Sequence, residues 1–136
     1  MLKEWIDGKW VERELLLAAL GLIESSVASG RKPEKNRVVS IVGAGGKTTC
    51  LRRFQLECEK LGIQAAAGTT THIQYEKNTG FLDRPDLQAA WEMLKKTGTL
   101  WMGEPVSDWK CKALPDRFYR ELLAEGIWLL LEADGA

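Results

Sequence analysis

The sequence has few of the residues that metal and disulfide sites use. Its 136 residues include one histidine, His72, and three cysteines, and no two cysteines form a Cys-x-x-Cys pair. The ligand spacings of a structural zinc site are therefore absent, and the odd cysteine count does not suggest a disulfide framework. Cys50 and Cys58 fall on the apolar face of a predicted helix, where a free thiol packs as a small hydrophobic group.

An excess of charge and a long apolar run are also missing. Nineteen basic residues balance nineteen acidic ones, so no overall field favours nucleic acid or an anionic membrane. No apolar run approaches the roughly twenty residues that span a bilayer. The N-terminus lacks the basic start and the uninterrupted apolar core of a signal peptide. We therefore expect a cytoplasmic protein without a nucleic-acid or membrane partner.

The most informative stretch begins with a β-branched apolar run. Residues 38–42 predict a buried strand, Gly43–Gly46 predict a tight turn, and Lys47-Thr48-Thr49 predict the start of an amphipathic helix. A strand, a glycine turn and a helix with Gly-Lys-Thr at the junction are the parts of a phosphate-binding loop. Glycines there leave the backbone N–H groups open to phosphate oxygens, and the helix start adds partial positive charge.

This loop predicts a nucleotide site with Mg²⁺ and either ATP or GTP. Lys47 is predicted to reach the β- and γ-phosphates, and the Thr48 hydroxyl to bind magnesium. The predicted nucleotide contacts in the loop are Gly43, Ala44, Gly45, Gly46, Lys47, Thr48 and Thr49. Ile41 stands where the full pattern has another glycine, so the loop has a shorter form that looks like that of Mur-ligase-type proteins. A glycine-rich turn with an exposed lysine is the alternative.

A second apolar run ends in acidic residues. Ile127–Leu131 predict a strand buried on both faces, and Glu132-Ala-Asp134 follow it. Residues two apart on an extended backbone share a face, and carboxylates suit a hard cation. We predict that Thr48 and Glu132 bind the metal and that Lys47, Glu132 and Asp134 are catalytic. Alternatively, the acids only mark a strand that leaves the core.

Three polar residues lie towards the end of another predicted strand, at residues 63–73. The helix between this strand and the first is a crossover, which predicts that the two strands are parallel. Ligands of such sheets bind beyond the carboxyl ends of the strands, so Thr70, Thr71 and His72 are predicted to contact the nucleotide. Threonine also favours strands in any case, and His72 has the alternative of satisfying a local backbone group.

The rest of the chain alternates between helix and strand patterns. We predict that the helix from Lys47 ends at Gly62 and that a helix capped by Asp83 ends at Gly98. We also predict a helix over residues 11–28, a solvated linker at 31–37, a strand over 99–103 and a loop over 104–112. A helix that begins at Pro115 is predicted to bury Phe118, Tyr119, Leu122 and Leu123. The two N-terminal tryptophans, Trp5 and Trp10, are predicted to pack, or else to form a partner-binding tip. The fold class is α/β: a three-layer P-loop NTPase-like fold with a mainly parallel sheet of about four strands. Residues 1–36 form an N-terminal helix and linker, and residues 37–136 the nucleotide-binding domain.

Three motifs taken together resemble the YqeC-type proteins. They are Val-Gly-Ala-Gly-Gly-Lys-Thr-Thr at 42–49, Thr-Thr-Thr-His at 69–72 and Glu-Ala-Asp-Gly-Ala at 132–136. That family is described as selenium cofactor biosynthesis proteins, or accessory proteins of selenium-dependent molybdenum hydroxylases. The resemblance implies a cytosolic nucleotide-binding protein that serves the maturation of such an enzyme or its cofactor.

Family members continue for roughly another hundred residues, so the resemblance implies a domain that is incomplete at its C-terminus. An uncovered sheet edge would favour a homodimer. The expected function is nucleotide hydrolysis coupled to cofactor assembly. A nucleotide-gated chaperone or carrier without its own turnover is the alternative, and a non-functional remnant is the third possibility.

Overall fold

The chain divides into two compact units, Met1–Glu34 and Lys35–Ala136. The structure is a computed structural model that describes residues 2–24, 37–74 and 80–133. Residues 31–36 of the linker predicted at 31–37 and the predicted catalytic Asp134 lie outside these residues.

The first unit contains an antiparallel hairpin of β1 (Leu2–Ile6) and β2 (Lys9–Arg13). Asp7 and Gly8 form its turn with φ of 48° and 78°, the conformation of a tight two-residue hairpin. The rings of Trp5 and Trp10 face each other across the hairpin, edge to face, with centroids 5.0 Å apart. Both stay largely exposed, at 59% and 65%.

The helix predicted over residues 11–28 is wrong in its extent. Only α1 (Leu16–Ala19) is helical among the described residues of that range, and residues 11–13 belong to β2. The pattern misled because Leu16 and Leu20 keep helical spacing. The helix stops where Gly21 adopts a φ of 69°, a conformation that a glycine takes without strain.

The second unit is built on five parallel strands, which confirms the α/β class and the parallel sheet. Their order is β3 (Val38–Ile41), β10 (Trp128–Glu132), β4 (Ala65–Thr69), β7 (Thr99–Met102) and β6 (Phe81–Leu82). The predicted count of about four strands omitted β6, which has two residues and is too short to show a pattern.

Within the described part of this unit, three helices flank the sheet: α2 (Lys47–Leu61), α3 (Leu87–Thr97) and α4 (Asp116–Ala124). A core cluster joins α3 and α4 to alternate strand residues such as Leu129 and Leu131. Helix α2 contacts β10, β4 and β7. Since neighbouring residues of a strand point to opposite faces, the buried Leu51 and Phe54 of α2 cover the other face.

A second, antiparallel sheet has the order β5 (His72–Gln74), β9 (Lys110–Lys112) and β8 (Glu104–Pro105). Two predictions are therefore wrong. The strand predicted over 63–73 is two strands in different sheets, and the loop predicted over 104–112 contains β8 and β9. These pieces are too short for periodicity to reveal them, and they are defined by their pairing.

Helix ends follow the sequence except at one cap. Gly62 and Gly98 end α2 and α3 with φ of 72° and 85°, as predicted. The cap of α3, however, is Asp86 and not Asp83. The Asp86 carboxylate accepts a hydrogen bond from the Ala89 N–H at 3.0 Å, whereas Asp83 pairs with the exposed Arg84.

Cys58 is a structural thiol, as its position on the apolar face of α2 predicts. It is fully buried, and burial raises its pKa to about 12, with the nearby carboxylates of Glu57 and Glu59 acting in the same direction. Cys50 is partly exposed, and burial also raises its pKa. Neither environment favours the reactive thiolate.

The first prediction concerns the cap of α3. We expect Asp86→Ala to lower the free energy of unfolding by about 1 kcal/mol, because it leaves the Ala89 N–H without its acceptor. Asp83→Ala is the matched control. Both carboxylates pair with the exposed Arg84, but that of Asp86 also accepts the Ala89 N–H, so the loss from Asp83→Ala should be smaller. Urea denaturation measures both, and equal losses would contradict the assignment of the cap.

The second prediction concerns the close approach of Gly103 and Cys111. A Cβ at position 103 would lie 2.5 Å from the Cys111 Sγ and 3.2 Å from its Cβ. Gly103→Ala should therefore cost about 1–3 kcal/mol through overpacking. Combining it with Cys111→Ala removes the Sγ, so the double variant should be more stable than the sum of the single losses implies. Strict additivity in chemical denaturation would contradict this explanation.

Candidate functional site

The four residues that precede α2, Gly43 to Gly46, have no side chain larger than a methyl group. Gly43 and Gly46 have φ of 139° and 74°, which only glycine adopts readily, and Gly46 is the N-terminal cap of α2. The residues from Gly43 to Gly46 are exposed. The first hydrogen bond of the helix runs from the Cys50 N–H to the Gly46 carbonyl at 3.0 Å. The earlier amides have no acceptor within the helix, so this end suits an anion.

Thr48 and Glu132 meet at this turn. The Thr48 hydroxyl donates a hydrogen bond to the Glu132 carboxylate over 3.0 Å, although the two residues are 84 positions apart. Both side chains are partly buried. Lys47 directly precedes Thr48 and is the first residue of α2, so the predicted lysine, threonine and acid lie at one edge of the sheet.

The backbone of Glu132 is held on both sides. Its carbonyl accepts hydrogen bonds from the Thr70 N–H at 3.0 Å and from the Thr69 hydroxyl at 3.1 Å. The next residue, Ala133, donates its N–H to the Ile41 carbonyl at 2.9 Å. Glu132 is therefore fixed between β4 and β3, and its carboxylate starts from a rigid backbone.

Sequence reasoning missed two members of this site. The Thr69 hydroxyl, besides donating to Glu132, accepts a hydrogen bond from the Thr71 N–H at 3.1 Å. The hydroxyl of Tyr119, predicted only as a core residue, donates to the Thr69 carbonyl at 2.8 Å. Burial raises the pKa of Tyr119 to about 12, so it stays a neutral donor. A buried tyrosine usually needs a partner for its hydroxyl, and this was the available signal.

The other residues predicted to contact the nucleotide differ in their exposure and in the element to which they belong. Thr70 is exposed and joins the site through its backbone, and Thr71 is partly buried. His72 begins β5, opposite Lys112, with an exposed side chain. It therefore follows the chain into the antiparallel sheet. The carboxylate of Asp134 lies outside the described residues.

The pair of oxygens suits one small hard cation. Neighbouring ligands of an octahedral magnesium ion lie about 2.9 Å apart when each is at the usual bond length. The Thr48 hydroxyl and the Glu132 carboxylate, 3.0 Å apart, match that spacing. Within the described ranges no three His, Cys, Asp or Glu side chains cluster as a metal site. The protein would thus supply few ligands, which is usual for magnesium bound together with phosphates.

None of the helices in the described residues has the length and apolar character required to cross a bilayer. Neither a curated protein nor a solved structure gives a significant match. The family model described as YqeC protein, however, matches residues 39–136, which contain the turn, the threonine run and the acidic strand end. Because that match covers well over half of the sequence, the chain belongs to the YqeC family.

Proposed function

We propose that this chain binds a magnesium–nucleoside triphosphate, ATP or GTP, at the edge where β3, β4 and β10 end. The second unit would then be a P-loop-like domain, with the sheet between its helices. Membership of the YqeC family suggests a role in the maturation of a selenium-dependent molybdenum hydroxylase. In this proposal, nucleotide binding and hydrolysis serve that maturation in the cytoplasm.

The observation that carries the proposal is the hydrogen bond between Thr48 and Glu132. A glycine turn alone is compatible with any strand-to-helix connection, and an acid at a strand end is common. A glycine turn whose threonine contacts that acid, 84 residues away, has the arrangement that a phosphate-bound cation requires.

Each residue has a definite part in the proposed site. The amides between Gly43 and the start of α2 would bind phosphate oxygens, and the Lys47 ammonium would neutralise charge on the outer phosphates. The Thr48 hydroxyl and the Glu132 carboxylate would hold the cation. When bound, magnesium would supply charge neutralisation and orientation of the phosphates.

Gly45 gives independent support. Its φ lies outside the left-handed region, and a Cβ added there would meet no atom within 4 Å. The fold therefore does not require glycine at this position. A ligand that approaches the backbone closely would require glycine there, because a side chain would stand between the ligand and the amides.

One observation favours the nucleotide-gated module as a second candidate. The Thr69–Thr71 segment bonds to Glu132 at one end, and the Thr71 carbonyl accepts from the Ala113 N–H at 3.1 Å at the other. Ala113 directly follows β9. A change at the phosphates would therefore reach the antiparallel sheet through a few backbone hydrogen bonds, as in segments that respond to a γ-phosphate.

The third prediction tests the site through Lys47. Lys47→Ala should weaken binding of magnesium–ATP or magnesium–GTP by about 10- to 100-fold, since a hydrogen bond from a charged group contributes roughly 1.5–3 kcal/mol. Lys60→Ala, in the exposed last turn of the same helix, is the matched control and should bind normally. Calorimetric titration gives the affinities.

Phosphate release by the same variants separates the two functions. Turnover that Lys47→Ala abolishes supports an enzyme, whereas binding without turnover supports the gated module. Equal affinity in Lys47→Ala and Lys60→Ala would refute nucleotide binding at this turn.

The fourth prediction tests the cation pair. Thr48→Ala and Glu132→Gln should each remove most of the affinity that magnesium adds to nucleotide binding, and the double variant should lose little more, because both oxygens serve one ion. Thr48→Ser keeps the hydroxyl and should retain the effect. Glu92→Gln, on the exposed face of α3, is the control for charge. Additive losses would show that the two residues act separately.

A further inference from the structure

The hydroxyl of Tyr119, in α4, donates a hydrogen bond to a backbone carbonyl of β4, just beyond the point where β4 stops pairing with β7. The pairing of β4 with β7 ends at Ala67 and Trp101, while its pairing with β10 continues to Thr69 and Glu132. The Tyr119 hydroxyl supplies a donor to the Thr69 carbonyl beyond that point, at 2.8 Å. Only 7% of Tyr119 is exposed, so water is a poor substitute for this donor.

Thr69 connects the Tyr119 hydroxyl to the candidate site through hydrogen bonds. Its carbonyl accepts from Tyr119, and its hydroxyl donates to the Glu132 carbonyl at 3.1 Å while accepting from the Thr71 N–H. Thr69 is itself 1% exposed, so its carbonyl and its hydroxyl depend on these partners. Three neighbouring groups are thus connected: a helix phenol, the backbone of Glu132 and the turn that follows β4.

We infer that Tyr119 and Thr69 are positioning residues that set where the Glu132 carboxylate stands relative to the Thr48 hydroxyl. The inference rests on the proposed function, since it concerns the affinity that magnesium adds to nucleotide binding. Magnesium requires a nearly ideal octahedron. The present spacing of 3.0 Å already matches one edge of it, so a small shift of Glu132 weakens the cation site first.

The phosphate amides do not share this dependence. They belong to the turn between β3 and α2, which the Tyr119–Thr69 connection does not contact in the described residues. The loss of the Tyr119 hydroxyl should therefore leave nucleotide binding without magnesium nearly unchanged. This separation distinguishes positioning from a general loss of stability, which would lower both affinities together.

The fifth prediction uses Tyr119→Phe, which removes one oxygen and keeps the ring. We expect its nucleotide affinity in EDTA to stay within about twofold of the wild type, and the increase produced by magnesium to fall by about tenfold, the range seen when a supporting hydrogen bond of a metal ligand is lost. Thr69→Val should behave alike, and Thr69→Ser, which keeps the hydroxyl, should retain the increase. Titration calorimetry with ATP and GTP, with and without magnesium, measures these values.

Two controls make the result specific. Leu94→Val lowers stability from a buried position of α3 that takes no part in these hydrogen bonds, and it should keep the magnesium effect. Adding Tyr119→Phe to Glu132→Gln should cause no further loss, because the tyrosine acts through that carboxylate. If Tyr119→Phe does not fold, the Thr69→Val and Thr69→Ser pair decides the same question.

The outcomes separate the two ideas. An unchanged magnesium effect in Tyr119→Phe and Thr69→Val, with a clear effect in the wild type, overturns the positioning role and leaves the proposed function intact. Parallel losses with and without magnesium also overturn it. A wild-type chain that binds nucleotide equally well with and without magnesium overturns the proposed cation site and the positioning role together.

Discussion

The contact between the Thr48 hydroxyl and the Glu132 carboxylate depends on where three parallel strands end. Strand β10 lies between β3 and β4, so its last residue is next to the turn that follows β3 and the threonines that follow β4. Parallel strands in one register bring their carboxyl ends to one edge, where side chains from distant parts of the chain meet. The arrangement needs no long loop and no disulfide. The buried residues of these strands hold them in the sheet, and the pairing of the strands sets the positions of the polar side chains at its edge.

The site has a rigid and an open side. The Glu132 carbonyl accepts hydrogen bonds from Thr69 and Thr70, and the adjoining Ala133 donates to the Ile41 carbonyl. The turn from Gly43 to Gly46, in contrast, has no side chain larger than a methyl group and is exposed. Such a division suits recognition of a phosphate chain with a cation, because the cation demands precise oxygen positions and phosphates accept hydrogen bonds over a wider range of directions. This division agrees with the proposal that Glu132 and Thr48 bind the cation while the amides bind the phosphates.

The sequence predicted the elements of the parallel sheet better than the exposed or very short strands. Helix α2 and strand β3 follow from an apolar run, a glycine turn and a periodic face, and the pairing of Thr48 with Glu132 was accessible from the motifs. The antiparallel sheet was missed because its strands of two or three residues have too few positions for a period to emerge. The hairpin of β1 and β2 was missed because neither strand has a buried residue that would mark an apolar run. Tyr119 was assigned to the core because periodicity reports which face is buried and not what a hydroxyl contacts. The displaced cap of α3 shows the same limit, since Asp83 and Asp86 are equally good caps by composition.

The separation of Thr48 and Glu132 along the chain has a consequence for folding. A ligand that touches both closes a loop of 84 residues, which includes most of the second unit. It would therefore act as a reversible cross-link between an early and a late part of the chain, and occupancy would raise the free energy of unfolding of everything enclosed. If a ligand binds there as proposed, its occupancy would be reported by resistance to unfolding and proteolysis, even when the shape of the folded chain does not change.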